Sequence, residues 1–435
     1  MKAMNSSVSR RTLLAASALA AAAPAKAQRG ARPGRRMETA WPIIGPPEEQ
    51  ALLDTLRSGH WGSVTGKRVA EFQTRYAALT GSKYCLATAN GTSALMCSLH
   101  AVEVGPGDEV LLPPYTFVAT LNVILLQYAL PVFVDSDLES FQMDPAKIAP
   151  LINANTRAII PVHIGGSPAD LDAILPAARA KGVKVIEDAC QAHLGEWRGK
   201  KLGSLGDCGC FSFQATKNLN SGEGGAFITD NEQLLDRAYA YHTNGRARVA
   251  ARGGFNYASN GANLRLTEFQ AALLMTQMTR IEEQSKTREQ NAAYLSKHLA
   301  AIPGIAPAKL YPGCTRGAWH LYMFRYDPAA FGGAPRAAFL KALSAAGFPA
   351  SGGYSPLNKE DFLNRMMSAR HYVKVFGEKR LKLWREQNQC PVNDRLCQQG
   401  VWLGQTALLS PRADMDAFIE TIAKLQKNPS VLTSA

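Results

Sequence analysis

Lys217 stands in the stretch Phe211-Ser212-Phe213-Gln214-Ala215-Thr216-Lys217-Asn218-Leu219-Asn220-Ser221-Gly222-Glu223-Gly224-Gly225, one lysine between an apolar run and a glycine-rich turn. A solvated surface charge has no need of such surroundings. They suit a buried amine in a tight loop, where desolvation and a nearby cation would lower its pKa and make it nucleophilic. Upstream, Val185-Ile186-Glu187-Asp188-Ala189-Cys190-Gln191-Ala192-His193 ends an apolar run on two acids. Alternation along a strand sends the two carboxylates to opposite faces. Asp188 is then the one at a strand end, where open α/β sheets carry functional groups. Standing alone, it reads equally as an ordinary surface acid.

A nucleophilic lysine and a fixed carboxylate are two of the four things pyridoxal phosphate (PLP) requires. The others are a phosphate cradle and a group against the ring face. Ala89-Asn90-Gly91-Thr92-Ser93-Ala94-Leu95 follows a strand and opens a helix, so free backbone N–H groups and the Thr92 and Ser93 hydroxyls are available for a phosphate. The same pattern also describes a capped helix start with no ligand. Ser212 offers a further hydroxyl. Pro113-Pro114-Tyr115-Thr116-Phe117 brings aromatics to another strand end, with Phe117 either stacked on the ring or packed in the core. The Gly222–Gly225 run makes a tight turn that lets backbone approach the lysine closely.

The elements that must position these groups alternate. Short apolar strands are expected at 84–87, 109–112, 132–134, 158–161, 183–186, 209–213 and 226–229, with helices at 93–104, 169–181 and 232–241, the signature of an open α/β sheet. Residues 266–299 read as one long amphipathic helix. Beyond it the sequence offers a strand at 320–326, helices at 334–346 and 415–425, and a polar, irregular stretch at 355–395 with a helix near 365–378. The division expected is a leader at 1–27, a basic linker at 28–40, a large domain at 41–265, a connecting helix at 266–300 and a small domain at 301–435.

The chain has 435 residues, 46% hydrophobic and 19% charged, enough for a large core. Its formal charge of +13 is concentrated at one end. Lys2, Arg10, Arg11, Lys26, Arg29, Arg32, Arg35 and Arg36 precede the first acid, so of 48 basic residues 40 remain against 35 acids, a body of +5. A nucleic-acid partner is not expected. Ser9-Arg10-Arg11-Thr12-Leu13-Leu14 before an Ala/Leu run, with Ala25-Lys26-Ala27 as cleavage site, resembles a twin-arginine export signal. The expected location is periplasmic or secreted, or cytoplasmic if the leader does not function. The apolar run is too short for a membrane span. Eight cysteines form no obvious framework and are expected as buried free thiols. Cys208-Gly209-Cys210 lacks a second ligand pair, so no metal site is expected.

Taken in order, these landmarks are similar to those of the DegT/DnrJ/EryC1/StrS family of PLP-dependent aminotransferases. Besides Asn90–Leu95 and the Lys217 segment, they include Gly107-Asp108-Glu109-Val110, Thr116-Phe117-Val118-Ala119-Thr120, Pro131-Val132-Phe133-Val134-Asp135, Glu187–His193 and Asn263-Leu264-Arg265-Leu266-Thr267-Glu268. The resemblance implies a fold-type I aminotransferase: a large domain with a mostly parallel central sheet and a smaller α/β C-terminal domain. It implies that Lys217 bonds to the cofactor and carries the proton, and that Asp188 meets the pyridine nitrogen. Gln191 would contact the ring hydroxyl, Gly91, Thr92 and Ser212 the phosphate, and Phe117 the ring face. Asn263 would reach the cofactor of a partner subunit, in a homodimer with shared active sites. Gln214, where many sugar aminotransferases have histidine, and Trp402-Leu403 resemble members that use L-glutamine. His320 and Tyr322 would face the substrate, or else pack in the core. The activity implied is transfer of an amino group from L-glutamine or L-glutamate to a keto sugar or cyclitol. A sugar dehydratase of the same branch lacks the lysine, and a PLP-binding sensor without activity is the remaining alternative.

Overall fold

Short, mostly buried runs of four or five residues punctuate the first half of the chain and become the strands of one sheet. The computed structural model describes residues 36–37, 39–248 and 256–433, so the leader and most of the linker lie outside the described residues. The strands are β1 (Tyr84–Thr88), β2 (Glu109–Leu112), β3 (Leu130–Phe133), β4 (Thr156–Ile159) and β5 (Lys184–Asp188). After a hairpin of β6 (Glu196–Trp197) and β7 (Lys200–Lys201) come β8 (Cys208–Ser212) and β9 (Gly225–Thr229). The order is β1-β9-β8-β5-β4-β2-β3, with β9 alone running against the rest. Strands buried on both faces need helices on both sides. Here these include α1 (Pro46–Ser58), α2 (Arg68–Thr80), α3 (Gly91–Ala101), α4 (Val118–Leu126), α5 (Leu171–Arg179) and α6 (Glu232–His242).

The stretch expected as one long helix is two, α7 (Glu268–Met278) and α8 (Ile281–Leu299). The break falls at Thr279–Arg280, where Arg280 takes φ −118°, ψ −4° and its guanidinium pairs with the buried Glu48 of α1. Apolar spacing runs on through the break, but its partners change. Ala271, Leu274 and Met275 pack with α2 side chains such as Phe72 and Tyr76, whereas Ala292, Leu295 and Leu299 pack into a second core. That second core belongs to an antiparallel sheet of β10 (Ile305–Pro307), β12 (Leu321–Tyr326), β13 (Ala350–Ser351) and β14 (Gly400–Gly404). Its order is β10-β12-β14-β13, while β11 (Cys314–Arg316) joins the β6–β7 hairpin.

The stretch 355–395 is not irregular. It contains helices Asp361–Met367 and Arg370–Gln387, the latter interrupted at Gly377 (φ 72°). Their widely spaced apolar residues, Leu363, Met367, Tyr372, Leu381 and Trp384, join the core built on α3, α4 and the central sheet. Tyr372 and Trp384 donate to the carbonyls of Ala129 and Pro131, and Asn388 accepts from the N–H of Phe133. The charges between those residues hide the apolar stripe from a reading by local composition.

Candidate active site

The C-terminal ends of β1, β2, β5 and β8 open on one cavity of about 640 Å³, to which the small sheet adds Leu321 of β12 and Trp402 of β14. This is the place where an open parallel sheet leaves strand ends unpaired and loops free to carry chemistry. Of the residues singled out in the sequence, Gly91, Thr92, Phe117, Asp188, Gln191, Ser212, Gln214, Lys217 and His320 line it.

Asp188 is the last residue of β5, and its carboxylate is held on both oxygens. Oδ2 accepts from Thr120 Oγ1 at 2.8 Å, and Oδ1 from the Cys190 N–H at 3.2 Å. Glu187 points to the other face, as alternation requires. There it accepts from the N–H groups of Gly203, Leu205 and Gly206 and meets His163 Nε2 at 2.9 Å, a structural anchor buried completely.

The loop after β8 folds back on itself through Phe213 N to Gly224 O, Ala215 N to Gly222 O and Lys217 N to Gln214 O. Burial holds the Lys217 amine below its ordinary pKa. The sequence pointed to a neighbouring cation as a contributor, and the structure corrects this. No cation lowers it: desolvation is the one cause of the shift, and the neighbouring Asp188 carboxylate opposes it.

The floor is built by α3. Asn90 caps the helix by accepting from the Ser93 N–H and hydroxyl, which leaves Ser93 buried in the cap and off the cavity wall. The N–H groups of Gly91 and Thr92, in the first helical turn, have no partner within the helix. Gly91 must be glycine: a Cβ there would lie 2.8 Å from Ser212 Cβ and 3.0 Å from Cys190 Sγ. Gln191 turns its Oε1 to the Gly165 N–H (2.7 Å) and its Nε2 to the Tyr354 hydroxyl (3.1 Å). Gln214 accepts from the Thr216 N–H and hydroxyl. Phe117, at the N-terminus of α4, is 57% exposed, so it is a wall residue rather than a core one.

Besides Ser93, two further residues singled out in the sequence are not brought to this wall. Tyr322 is buried in the small-sheet core with its hydroxyl on Ser296 of α8, the packed arrangement rather than the substrate-facing one. Asn263 is exposed and bridges Thr243, away from the cavity of its own chain. Trp402, named in the sequence beside Gln214, also lines the cavity, while sequence reasoning missed the roles of Thr120, Cys190 and Tyr354. Thr120 and Cys190 lay inside quoted motifs, one helical turn after Thr116 and two residues after Asp188. Tyr354, which meets Trp402 edge to face at 4.7 Å, carried no local signal.

Beneath the loop, His193 accepts from the Tyr76 hydroxyl through Nδ1 (2.9 Å) and donates from Nε2 to the Ser212 carbonyl (2.8 Å), a network that suits a neutral ring. Burial pushes His193 down to about 4, and does the same to His242, whose Nε2 meets the Ala87 carbonyl. An unfolded chain takes up these protons near pH 6.5, whereas the folded one refuses them until about pH 4. The stability from keeping them neutral is complete above about pH 6.5 and is lost as pH falls, by roughly 3 kcal/mol per histidine at the acid end. Urea midpoints should therefore drop steadily across this window. Equal midpoints at about pH 6.5 and 4.5 would contradict the burial of neutral rings.

Comparison with known proteins decides what this cavity belongs to. The sequence profile of the DegT/DnrJ/EryC1/StrS aminotransferase family matches residues 42–422. The chain belongs to that family. It is 36% identical over 404 residues to the L-glutamine:2-deoxy-scyllo-inosose aminotransferase of Streptoalloteichus tenebrarius, covering 89% of this chain and 95% of the relative. It is 38% identical over 293 residues to the spore coat polysaccharide biosynthesis protein SpsC of Bacillus subtilis, covering 66% of this chain and 75% of the relative. Among solved structures, 3-amino-5-hydroxybenzoic acid synthase superposes with a TM-score of 0.80 at 31% identity, over 89% of this chain and 98% of that one. The protein is thus a PLP-dependent aminotransferase of fold type I.

The residues present fit that cofactor. A glycine floor that a Cβ would close, first-turn N–H groups of α3, a fixed carboxylate and a depressed amine line one cavity.

Proposed function

We propose that the enzyme moves an amino group from L-glutamine or L-glutamate to the ketone of a keto sugar or cyclitol, in two half-reactions at the Lys217 cavity. The observation that carries the reading is the convergence of Lys217, Asp188, Gly91, Thr92 and Ser212 from different strand ends on one cavity. When bound, PLP supplies a carbonyl that accepts the amino group and a ring that withdraws electrons. Lys217 would hold its carbonyl carbon through the amine, and that amine would hold and return the proton at the substrate carbon. Asp188, immobilised by Thr120 and Cys190, keeps a negative charge at the pyridine nitrogen. Gly91, Thr92 and Ser212 would hold the phosphate, Phe117 would cover the ring, and Gln191, bonded to Tyr354, would meet the ring hydroxyl. Gln214 and His320 face the substrates.

The donor and acceptor classes rest on the relatives. The Streptoalloteichus protein is named for L-glutamine and a deoxyinosose, a cyclitol ketone. Asn263, exposed and off its own cavity, suits a contact with the cofactor of a second subunit, so the working form is a homodimer with shared active sites. The arginine pair and small-residue site of residues 1–27 direct the chain to export. Among the described residues no helix is long and apolar enough to cross a membrane. The acceptor is tested by offering the pyridoxamine form of the enzyme a cyclitol ketone and, separately, a nucleotide-linked keto sugar, with mass spectrometry of the products. Amination of the cyclitol ketone is the expected outcome. Amination of neither, by enzyme already converted by a donor, would overturn the acceptor class.

A further inference from the structure

The two carbonyls immediately before Lys217 are gripped from outside the loop. Trp41 Nε1 donates to the Ala215 carbonyl at 2.9 Å, and Gln405 Nε2 faces the Thr216 carbonyl at 3.4 Å. The Gln405 amide is oriented by Arg288 of α8, whose Nε and Nη2 both donate to its Oε1, at 3.0 and 2.6 Å. With its oxygen taken twice, the amide must present nitrogen to Thr216.

Arg288 is itself unusual. It is fully buried, has no acidic partner among the described residues, and leaves Nη1 without an acceptor. Its Cζ lies over the Trp41 ring, 5.5 Å from the centroid, so the indole that holds Ala215 also covers the cation. A buried guanidinium with no carboxylate is costly to retain for packing alone. Here it locks the two side chains that lock the loop.

Trp41 arrives on a segment that runs between the two cores. Met37 is buried among Phe324, Phe339 and Phe418 of the small-sheet core, and the Thr39 and Ser410 hydroxyls meet at 3.4 Å. On the far side of Trp41, the Ile43 carbonyl accepts from Gln277 Nε2 of α7 at 3.0 Å. The loop bearing Lys217 is thus tied to the N-terminal segment, to α8 and to the end of β14 at once.

We propose that Trp41 and the Arg288–Gln405 pair are positioning residues that hold the backbone at 215–216 and so aim the Lys217 amine into the cavity. This rests on Lys217 being the lysine that bonds to the cofactor. Two conservative variants of the full chain test it. Trp41→Phe keeps a ring over Arg288 and loses one N–H, while Gln405→Glu keeps the acceptor for Arg288 and turns an oxygen toward Thr216. Cofactor-free protein is mixed with PLP to time its capture. The pH profile of Lys217 acetylation, read by mass spectrometry of its peptide, is measured without cofactor. Capture slowed about tenfold and a labelling midpoint moved by about one pH unit are expected in both variants. Thr39→Ala, which loosens the same segment away from the loop, should match wild type.

Folded Trp41→Phe and Gln405→Glu proteins with wild-type capture and labelling would overturn the proposal. So would a Thr39→Ala protein as slow as Trp41→Phe, because the effect would then be general loosening. If wild-type protein captured no PLP at Lys217, the functional reading would fall, and the labelling profiles would still decide whether these residues aim the amine.

Discussion

Lys217→Ala is expected to reduce transamination at least about a thousandfold and to abolish covalent retention of the cofactor. The amine has two tasks in this account, bonding to PLP at rest and moving the proton at the substrate carbon, and positioned proton transfer alone contributes roughly 10² to 10⁴. Among the described residues no second amine lines the cavity. His320 lines the cavity but meets Asn218 Oδ1, and burial holds it well below its ordinary pKa. The check is single-turnover kinetics with added PLP, together with mass spectrometry after borohydride reduction. A variant that retained a reducible covalent adduct elsewhere would show that the wrong lysine had been assigned. Tm should stay near or above wild type, since burying an amine that prefers to be charged opposes folding.

Asp188→Asn is the second large effect. The carboxylate accepts from Thr120 and Cys190 on its two oxygens, so an amide can keep only part of that arrangement and carries no charge. Removing one member of a buried charge pair costs about 3–5 kcal/mol, on the order of a thousandfold in rate when the pair acts on the reacting ring. Cofactor binding should weaken far less, because the phosphate cradle proposed at Gly91, Thr92 and Ser212 is untouched. Equal losses in PLP affinity and in kcat would instead mark Asp188 as a binding group only. Thr120→Val should follow in the same direction with a smaller loss, through the mobility of the carboxylate.

Where one residue and its immediate neighbours decide the local structure, the site was legible in the sequence. Asp188 followed from strand alternation, the α3 floor from a capping sequence, and the central sheet from apolar runs too short to be helices. Lys217 was found because a lone charge in an apolar, glycine-framed loop conflicts with its surroundings. Features that depend on two distant segments were not legible. The break at Thr279–Arg280 comes from a buried glutamate on α1 that a helical period cannot reveal. Tyr354 reaches the cavity because β13, just before it, pairs with β14. Tyr322 looked as available as His320 until the sheet turned it onto α8. Helix was expected near 365–378, but its division at 367–370 and its run to 387 were obscured by charges, since the apolar positions meet their partners only in the folded core.

The most direct test of the account is the absorbance spectrum of purified mature protein before and after L-glutamine or L-glutamate is added. The account predicts a yellow band from lysine-bound PLP, lost on addition of the donor as the pyridoxamine band grows, with the yellow band missing in Lys217→Ala. Protein that takes up no PLP on reconstitution, or a yellow band that no amino donor alters, would contradict it.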